Sequence, residues 1–255
     1  MNTKQALLTR LDEIGQSLAH SGQALALFGL GSVGVEVARV DKWSDLDFFA
    51  IAAPGFKQRF IDNLDWLGNI RPLAWHFRNT IDGHKVLFED GIFCEFAVFE
   101  IDELPNIAYA PGRMIWKKPE VPDSICLPSF TPKRENRSTD WLVDETLGNL
   151  YVGMARYKRG EKLSGFRFVQ VDAVNRVMEL AAHLETAQAS VFTDIYANER
   201  RFEQRFTQTA TALPDLMQGY ARTPRSALAI LAWLQAHFAV NTRMASEICS
   251  LCGTD

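Results

Sequence analysis

Asp45 and Asp47 stand at the head of an apolar run, 46–52, and not at its tail. That order limits what the stretch 24–52, ALALFGLGSVGVEVARVDKWSDLDFFAIA, can fold into. Within it, Gly29-Leu30-Gly31-Ser32-Val33-Gly34 matches the GxGxxG dinucleotide fingerprint letter for letter. In a dinucleotide-binding βαβ unit the second strand runs parallel to the first, and the ribose-holding acid closes that second strand about 20 residues on. A parallel crossover takes a dozen or more residues, mostly helix; the segment from Gly31 to Asp45 is barely that long with both turns included. Parallel strands would also leave the aspartates at the opposite end of the sheet from the glycines. An antiparallel return instead sets the start of the second strand beside the end of the first. Gly31, Ser32, Asp45 and Asp47 then meet at one edge, and Gly29 is left as strand-end punctuation.

Two carboxylates two residues apart on an extended segment share a face. Forced together they repel, and one would be protonated unless a cation neutralises them. Hard divalent ions such as Mg²⁺ take oxygen ligands and complete their shell with water and substrate phosphates. A glycine-serine turn offers backbone N–H groups and a hydroxyl to a phosphate oxygen. A phosphate binder beside a carboxylate pair points to chemistry on a nucleoside triphosphate. In a two-metal arrangement one ion activates the attacking hydroxyl and the other stabilises the leaving group.

The rest of the chain reads as two parts. Leu7, Leu11, Ile14 and Leu18 repeat at helical spacing over 4–20, with Thr3 placed to cap and Gly22 to end the helix. Strands are expected at 24–28, 46–52, 73–78, 85–88 and 92–101, and a helix over 55–67. Asp90-Gly91 predicts a type I′ hairpin turn, and Trp43 is expected to pack under the loop before Asp45. From Pro105 to Pro132 the chain carries six of its ten prolines, which disfavours long helices and central strands and predicts an extended connector. Helical patterning follows over 138–158, 162–187, 196–210, 224–239 and 241–251. The expected architecture is α+β: a mixed-sheet domain over 1–130, then an all-helical domain over 131–255.

Composition narrows the partners. The net charge of −4 and the lack of a basic run argue against a nucleic-acid binder. No apolar run approaches the roughly 20 residues of a membrane span, so a cytoplasmic protein is expected. Cys249 and Cys252 form a single C-x-x-C with no second pair, short of a structural zinc site. His76 and His84 are expected to be structural.

Gly31-Ser32, a spacer of about a dozen residues, and Ser44-Asp45-Leu46-Asp47 together resemble the GS…SDxD signature of the DNA-polymerase-β-like nucleotidyltransferase superfamily. The proline-rich connector, the helical C-terminal part and the segments 157–161, 165–170 and 199–203 are most similar to the lincosamide and aminoglycoside antibiotic nucleotidyltransferases. The chain departs from many of these at 33–38, where they carry glycine or arginine. The resemblance implies transfer of a nucleoside monophosphate from ATP, or another nucleoside triphosphate, to a hydroxyl of a small molecule, with two Mg²⁺ ions. It implies Asp45 and Asp47 as metal ligands and a third carboxylate from a later strand. Glu95, an acid within an apolar run, matches best as ligand or general base; Glu89 is the runner-up, and Glu100 falls on the opposite face. Gly31 and Ser32 would position the triphosphate, with Lys158 and Arg159 near the phosphates. A homodimer is compatible with this assignment. Two alternatives stay open: nucleotidylation of a protein side chain, as in toxin–antitoxin transferases, and a non-catalytic nucleotide-binding module.

Overall fold

The chain enters helix α1 (Lys4–Ser21) at Thr3, whose hydroxyl accepts from the Ala6 amide at 3.1 Å, and leaves it at Gly22 in the left-handed conformation. The computed structural model describes residues 3–131, 135–194 and 196–253. It divides into two units, Met1–Pro132 and Lys133–Asp255.

In the first unit, β1 (Ala24–Gly29), β2 (Leu46–Ala52), helices α2 (Lys57–Asp62) and α3 (Asp65–Gly68), and strands β3 (Leu73–Phe77), β4 (Gly83–Phe88), β5 (Phe93–Phe99) and β6 (Arg113–Lys117) follow α1. The six strands form one sheet in the order β3-β4-β5-β2-β1-β6. All neighbours are antiparallel except β2 and β5, which run parallel. Strand periodicity sorts the side chains. Leu46, Phe48, Ala50, Cys94, Phe96 and Val98 join Leu7, Leu11, Ile14, Phe60 and Trp66 of the helices in one core. The alternate residues Ile51 and Phe99 meet Leu104, Tyr109, Val121 and Ile125 in a smaller cluster on the other face. Asp47 and Glu95 lie on that second face.

Several local expectations are corrected. The helix over 55–67 is two pieces, because Asn63 is extended (φ −128°) and its side chain accepts from the Asp65 amide. The Asp90-Gly91 turn has a positive φ at Gly91 alone, which excludes type I′. Asp90 instead accepts from Arg10 at 2.6 Å, and Arg10, 4% exposed, lies over the Phe88 ring. The expected connector carries strand β6, which pairs with β1 at the sheet edge. Its five residues fall between Pro111 and Pro119, so no proline interrupts the ladder. Pro132, at the connector's end, lies outside the described residues.

The second unit is helical: α4 (Thr139–Lys158), α5 (Lys162–Arg167), a π-helical turn (Phe168–Ala173), α6 (Val174–Leu184), the single turns α7 (Phe202–Arg205), α8 (Thr207–Ala210) and α9 (Leu213–Leu216), then α10 (Thr223–His237) and α11 (Thr242–Cys252). Leu150, Met154, Val169, Val177, Ile230 and Ile248 centre its core. The helix expected over 196–210 is reduced to α7 and α8, because Arg201 is left-handed and Phe206 is non-helical (φ −125°, ψ 71°). No helix among the described residues is long and apolar enough to cross a membrane.

His84 of β4 is buried, with Nε2 3.0 Å from the Ile61 carbonyl, Nδ1 without a partner among the described residues, and its ring stacked on Phe96. Burial lowers its pKa, against the Ile61 hydrogen bond and with help from His76 and Arg78. The folded pKa therefore lies below the unfolded value of about 6.5. The stability this confers is fully present above pH 6.5 and falls as acid protonates the unfolded chain first. Protection of β4 and β5 amides in hydrogen exchange should drop between pH 7 and pH 5, after correction for intrinsic rate. His84→Gln should flatten that dependence; an unchanged slope would assign it elsewhere.

Candidate active site at the ends of β1 and β2

Gly29 and Gly34 of the GLGSVG turn are required by close backbone approach, and Gly31 by its left-handed backbone. A Cβ on Gly29 would lie 2.6 Å from the Val33 carbonyl oxygen, and one on Gly34 2.9 Å from the Leu30 carbonyl carbon. Gly31 has φ +52°. Gly29 is therefore more than punctuation: it lets the chain fold back over the end of β1. A single 3₁₀ turn (Gly31–Val33) results, closed by hydrogen bonds from the Val33 and Gly34 amides to the Leu30 carbonyl at 3.1 and 2.9 Å. Arg113 Nε of β6 donates to the Val33 carbonyl at 3.2 Å. The turn is tied to β2 as well, because the Leu30 amide donates to the Asp47 carbonyl at 2.7 Å. With Gly29 opposite Phe48, the antiparallel return places Ser32, itself buried, at the same sheet end as Asp45 and Asp47.

The approach to Asp45 is also built locally. The Trp43 amide donates to Asp41 Oδ1 at 2.8 Å, and the Asp41 amide to Ser44 Oγ at 3.1 Å. Ser44 thus closes a turn that delivers Asp45 to the strand. Trp43 does not pack beneath this loop: it is 79% exposed, with the Lys42 ammonium 4.8 Å above its ring.

Three residues that sequence reasoning passed over share the site. Arg39, bonded to the Glu36 carboxylate, has Nη2 4.0 Å from the position a Gly31 Cβ would take, and Asp47 Oδ2 lies 3.2 Å from that position. The bare Cα of Gly31 therefore leaves a slot between a carboxylate and a guanidinium. The other two residues hold Glu95. Parallel register sets Glu95 beside Asp47. Its carboxylate accepts from Asn79 Nδ2 at 2.9 Å and lies 3.3 Å from Lys85 Nζ on the neighbouring strand. Asn79 Oδ1 is buried and has no hydrogen-bond partner among the described residues. Lys85 had a readable signal, a cation alternating with apolar residues in β4; Arg39 lay in a stretch read only as spacer.

Among the described residues no group of three or more His, Cys, Asp or Glu side chains stands ready to hold a metal ion. Beneath the site, burial pushes the Cys94 thiol far up; Arg10 opposes this, and the Asp47 and Asp45 charges add to it. Cys94 is accordingly an inert core residue. Glu100 accepts from the Gly55 amide at 2.7 Å and caps the turn that follows β5. Glu89 sits exposed at the turn before Asp90.

Lys158 and Arg159 belong to the second unit and diverge. Lys158 Nζ donates to the Gly253 carbonyl at 2.7 Å and lines a cavity of about 630 Å³ with Tyr157, Arg222, Arg225 and Cys252. Arg159, just past α4, lies 3.3 Å from Glu161. Cys249 and Cys252 are both free thiols.

No family model and no curated protein matches the chain. Among solved structures, it is similar to the crystal structure of an aminoglycoside 6-adenyltransferase from Bacillus subtilis, with 13% identity, a TM-score of 0.32, and coverage of 98% of this chain and 92% of that one.

Proposed function

We propose that the chain moves a nucleoside monophosphate, AMP from ATP, onto a hydroxyl of a small acceptor of the lincosamide or aminoglycoside kind. The observation that carries this is the register of one sheet end. Asp47 and Glu95 stand side by side on parallel strands, and Leu30, which leads into the Gly31–Ser32 turn, donates its amide to the Asp47 carbonyl.

The donor set fits a hard divalent cation, being all oxygen, with Asp47 on β2 and Asp45 just before it. Asp45 and Asp47 would hold it, with substrate phosphates and water completing the shell. When bound, such ions neutralise the triphosphate and lower the pKa of an attacking hydroxyl. The chain's own part is positioning. The Gly31 and Ser32 amides and the Ser32 hydroxyl receive phosphate oxygens, and the Arg39 guanidinium beside Gly31 offers them a charge-assisted donor. Glu95, already a hydrogen-bond acceptor from Asn79 and an ion-pair partner of Lys85, takes the proton of the acceptor hydroxyl as its oxygen bonds the α-phosphorus and the bond to the leaving pyrophosphate breaks. Most of the acceleration then comes from alignment and charge neutralisation.

The test uses ATP radiolabelled at the α-phosphate, Mg²⁺, a panel of lincosamides and aminoglycosides, and bulk protein as acceptors. Label should appear on a small molecule, and Glu95→Gln should lower kcat about 10²- to 10⁴-fold with ATP affinity retained. Label on protein alone would favour the protein-modifying reading. Nucleotide binding with no transfer to anything would favour a binding module.

A further inference from the structure

We propose that Trp75 and Phe77, on edge strand β3, form the seat of the acceptor and hold one of its rings about 10 Å from the carboxylate where its hydroxyl reacts. The inference rests on the reading of Asp45, Asp47 and Glu95 as the transfer site. Four strands contribute one row across the second face of the sheet. Phe77 pairs with Lys85, Lys85 with Glu95, and Glu95 with Asp47. The 3.3 Å approach of Lys85 to Glu95 follows the row's common face. Trp75, opposite Leu87, lies two residues back on the same side. Its ring centroid is 6.2 Å from that of Phe77 at an interplanar angle of 32°, so the two form a continuous aromatic strip.

The strip is out of character for this sheet. Trp75 and Phe77 are 47% and 54% exposed, while the other Phe and Trp side chains in the strands are buried or half-buried. Exposed aromatic pairs on a rigid element beside a polar cluster are suited to a ligand ring. The loop after β3 joins the strip to the carboxylate. Its Asn79 bonds Glu95 through Nδ2, so the loop that follows the strip is fixed to the carboxylate.

Strand spacing supplies the length. Two spacings separate Phe77 from Glu95, about 10 Å, more than one six-membered ring spans. The seated ring is therefore not the ring that carries the reacting hydroxyl. The acceptor chemistry is that of a linked, polar, multi-ring molecule with one ring on the aromatic strip and a separate hydroxyl over Glu95. Binding energy from the remote ring orients the reacting one.

Trp75→Ala, Phe77→Ala and Trp75→Phe test this in the full chain, with folding checked by circular dichroism. Kanamycin and lincomycin serve as probes, in transfer assays with Mg²⁺-ATP and in calorimetric titrations without nucleotide. Each alanine variant should raise the acceptor KM and weaken calorimetric binding about fivefold to tenfold. The KM for ATP should stay within about twofold, kcat should fall less than KM rises, and Trp75→Phe should recover most of the affinity. Wild-type binding without transfer would sink the transfer reading, while its loss in Trp75→Ala would still support the seat. An unchanged acceptor KM in both alanine variants of an active enzyme would overturn the seat. So would calorimetry showing no binding of either probe. A wild-type dimer that Trp75→Ala makes monomeric, with acceptor affinity unchanged, would give the strip to a second copy and overturn the inference as well.

Discussion

Asp47→Asn is expected to lower kcat/KM for nucleotidyl transfer at least about 10³-fold, roughly 4 kcal/mol of transition-state stabilisation. The side chain keeps its shape and loses only its charge. Its backbone is held independently of the side chain: its carbonyl accepts from the Leu30 amide, and its strand is paired on both sides. The variant should therefore fold, and the lost rate can be charged to the carboxylate. The effect should also exceed that of Glu95→Gln, because Asp47 borders the turn, the Arg39 slot and the neighbouring Glu95. Raising Mg²⁺ should restore part of the Asp47→Asn activity, since a weakened ligand set is refilled by mass action. Steady-state rates across a Mg²⁺ titration check both statements. Retention of activity within tenfold at low Mg²⁺ would remove Asp47 from the metal set.

How much of this site was readable depended on distance along the chain. The glycine turn, the Asp45/Asp47 pair and the antiparallel return between β1 and β2 follow from alternation, turn residues and a spacer too short for a crossover. Glu95 was found as an acid in an apolar run. That it stands beside Asp47 comes from a parallel pairing between strands some fifty residues apart, which no local pattern encodes. Arg39 was hidden for the opposite reason: a short segment counted only for its length holds a side chain folded back on the turn. Strand β6 was masked by the prolines around it, although five residues between two of them suffice for an edge strand. The helical pattern over 196–210 failed where a left-handed Arg201 and a non-helical Phe206 interrupt it. Apolar spacing reports burial and is silent on such breaks. Trp43 misled in the same way, since a large apolar residue beside a loop implies packing that the structure does not make.

Two glycines of the turn separate packing from chemistry. In Gly29→Ala, the new methyl meets the Val33 carbonyl at 2.6 Å, and that carbonyl is a backbone atom held by Arg113 Nε. Gly29 is paired on one side with Phe48 and on the other with Arg113, so β1 has little freedom to yield. A loss of about 3 kcal/mol is expected, with activity falling as the turn is displaced. Gly31→Ala presents the reverse balance. Its φ of +52° costs an alanine about 1–2 kcal/mol. Its methyl, however, enters the slot 3.2 Å from Asp47 Oδ2 and 4.0 Å from Arg39 Nη2, where a phosphate oxygen would approach. Gly31→Ala should accordingly lose less stability than Gly29→Ala but at least about 10² in kcat/KM, the scale of a lost transition-state contact. Urea midpoints and kcat/KM measured on both variants decide the matter. If Gly31→Ala keeps near-wild-type kcat/KM, the slot does not receive the triphosphate. If it loses activity only in proportion to its folded fraction, the turn serves the fold and not the reaction.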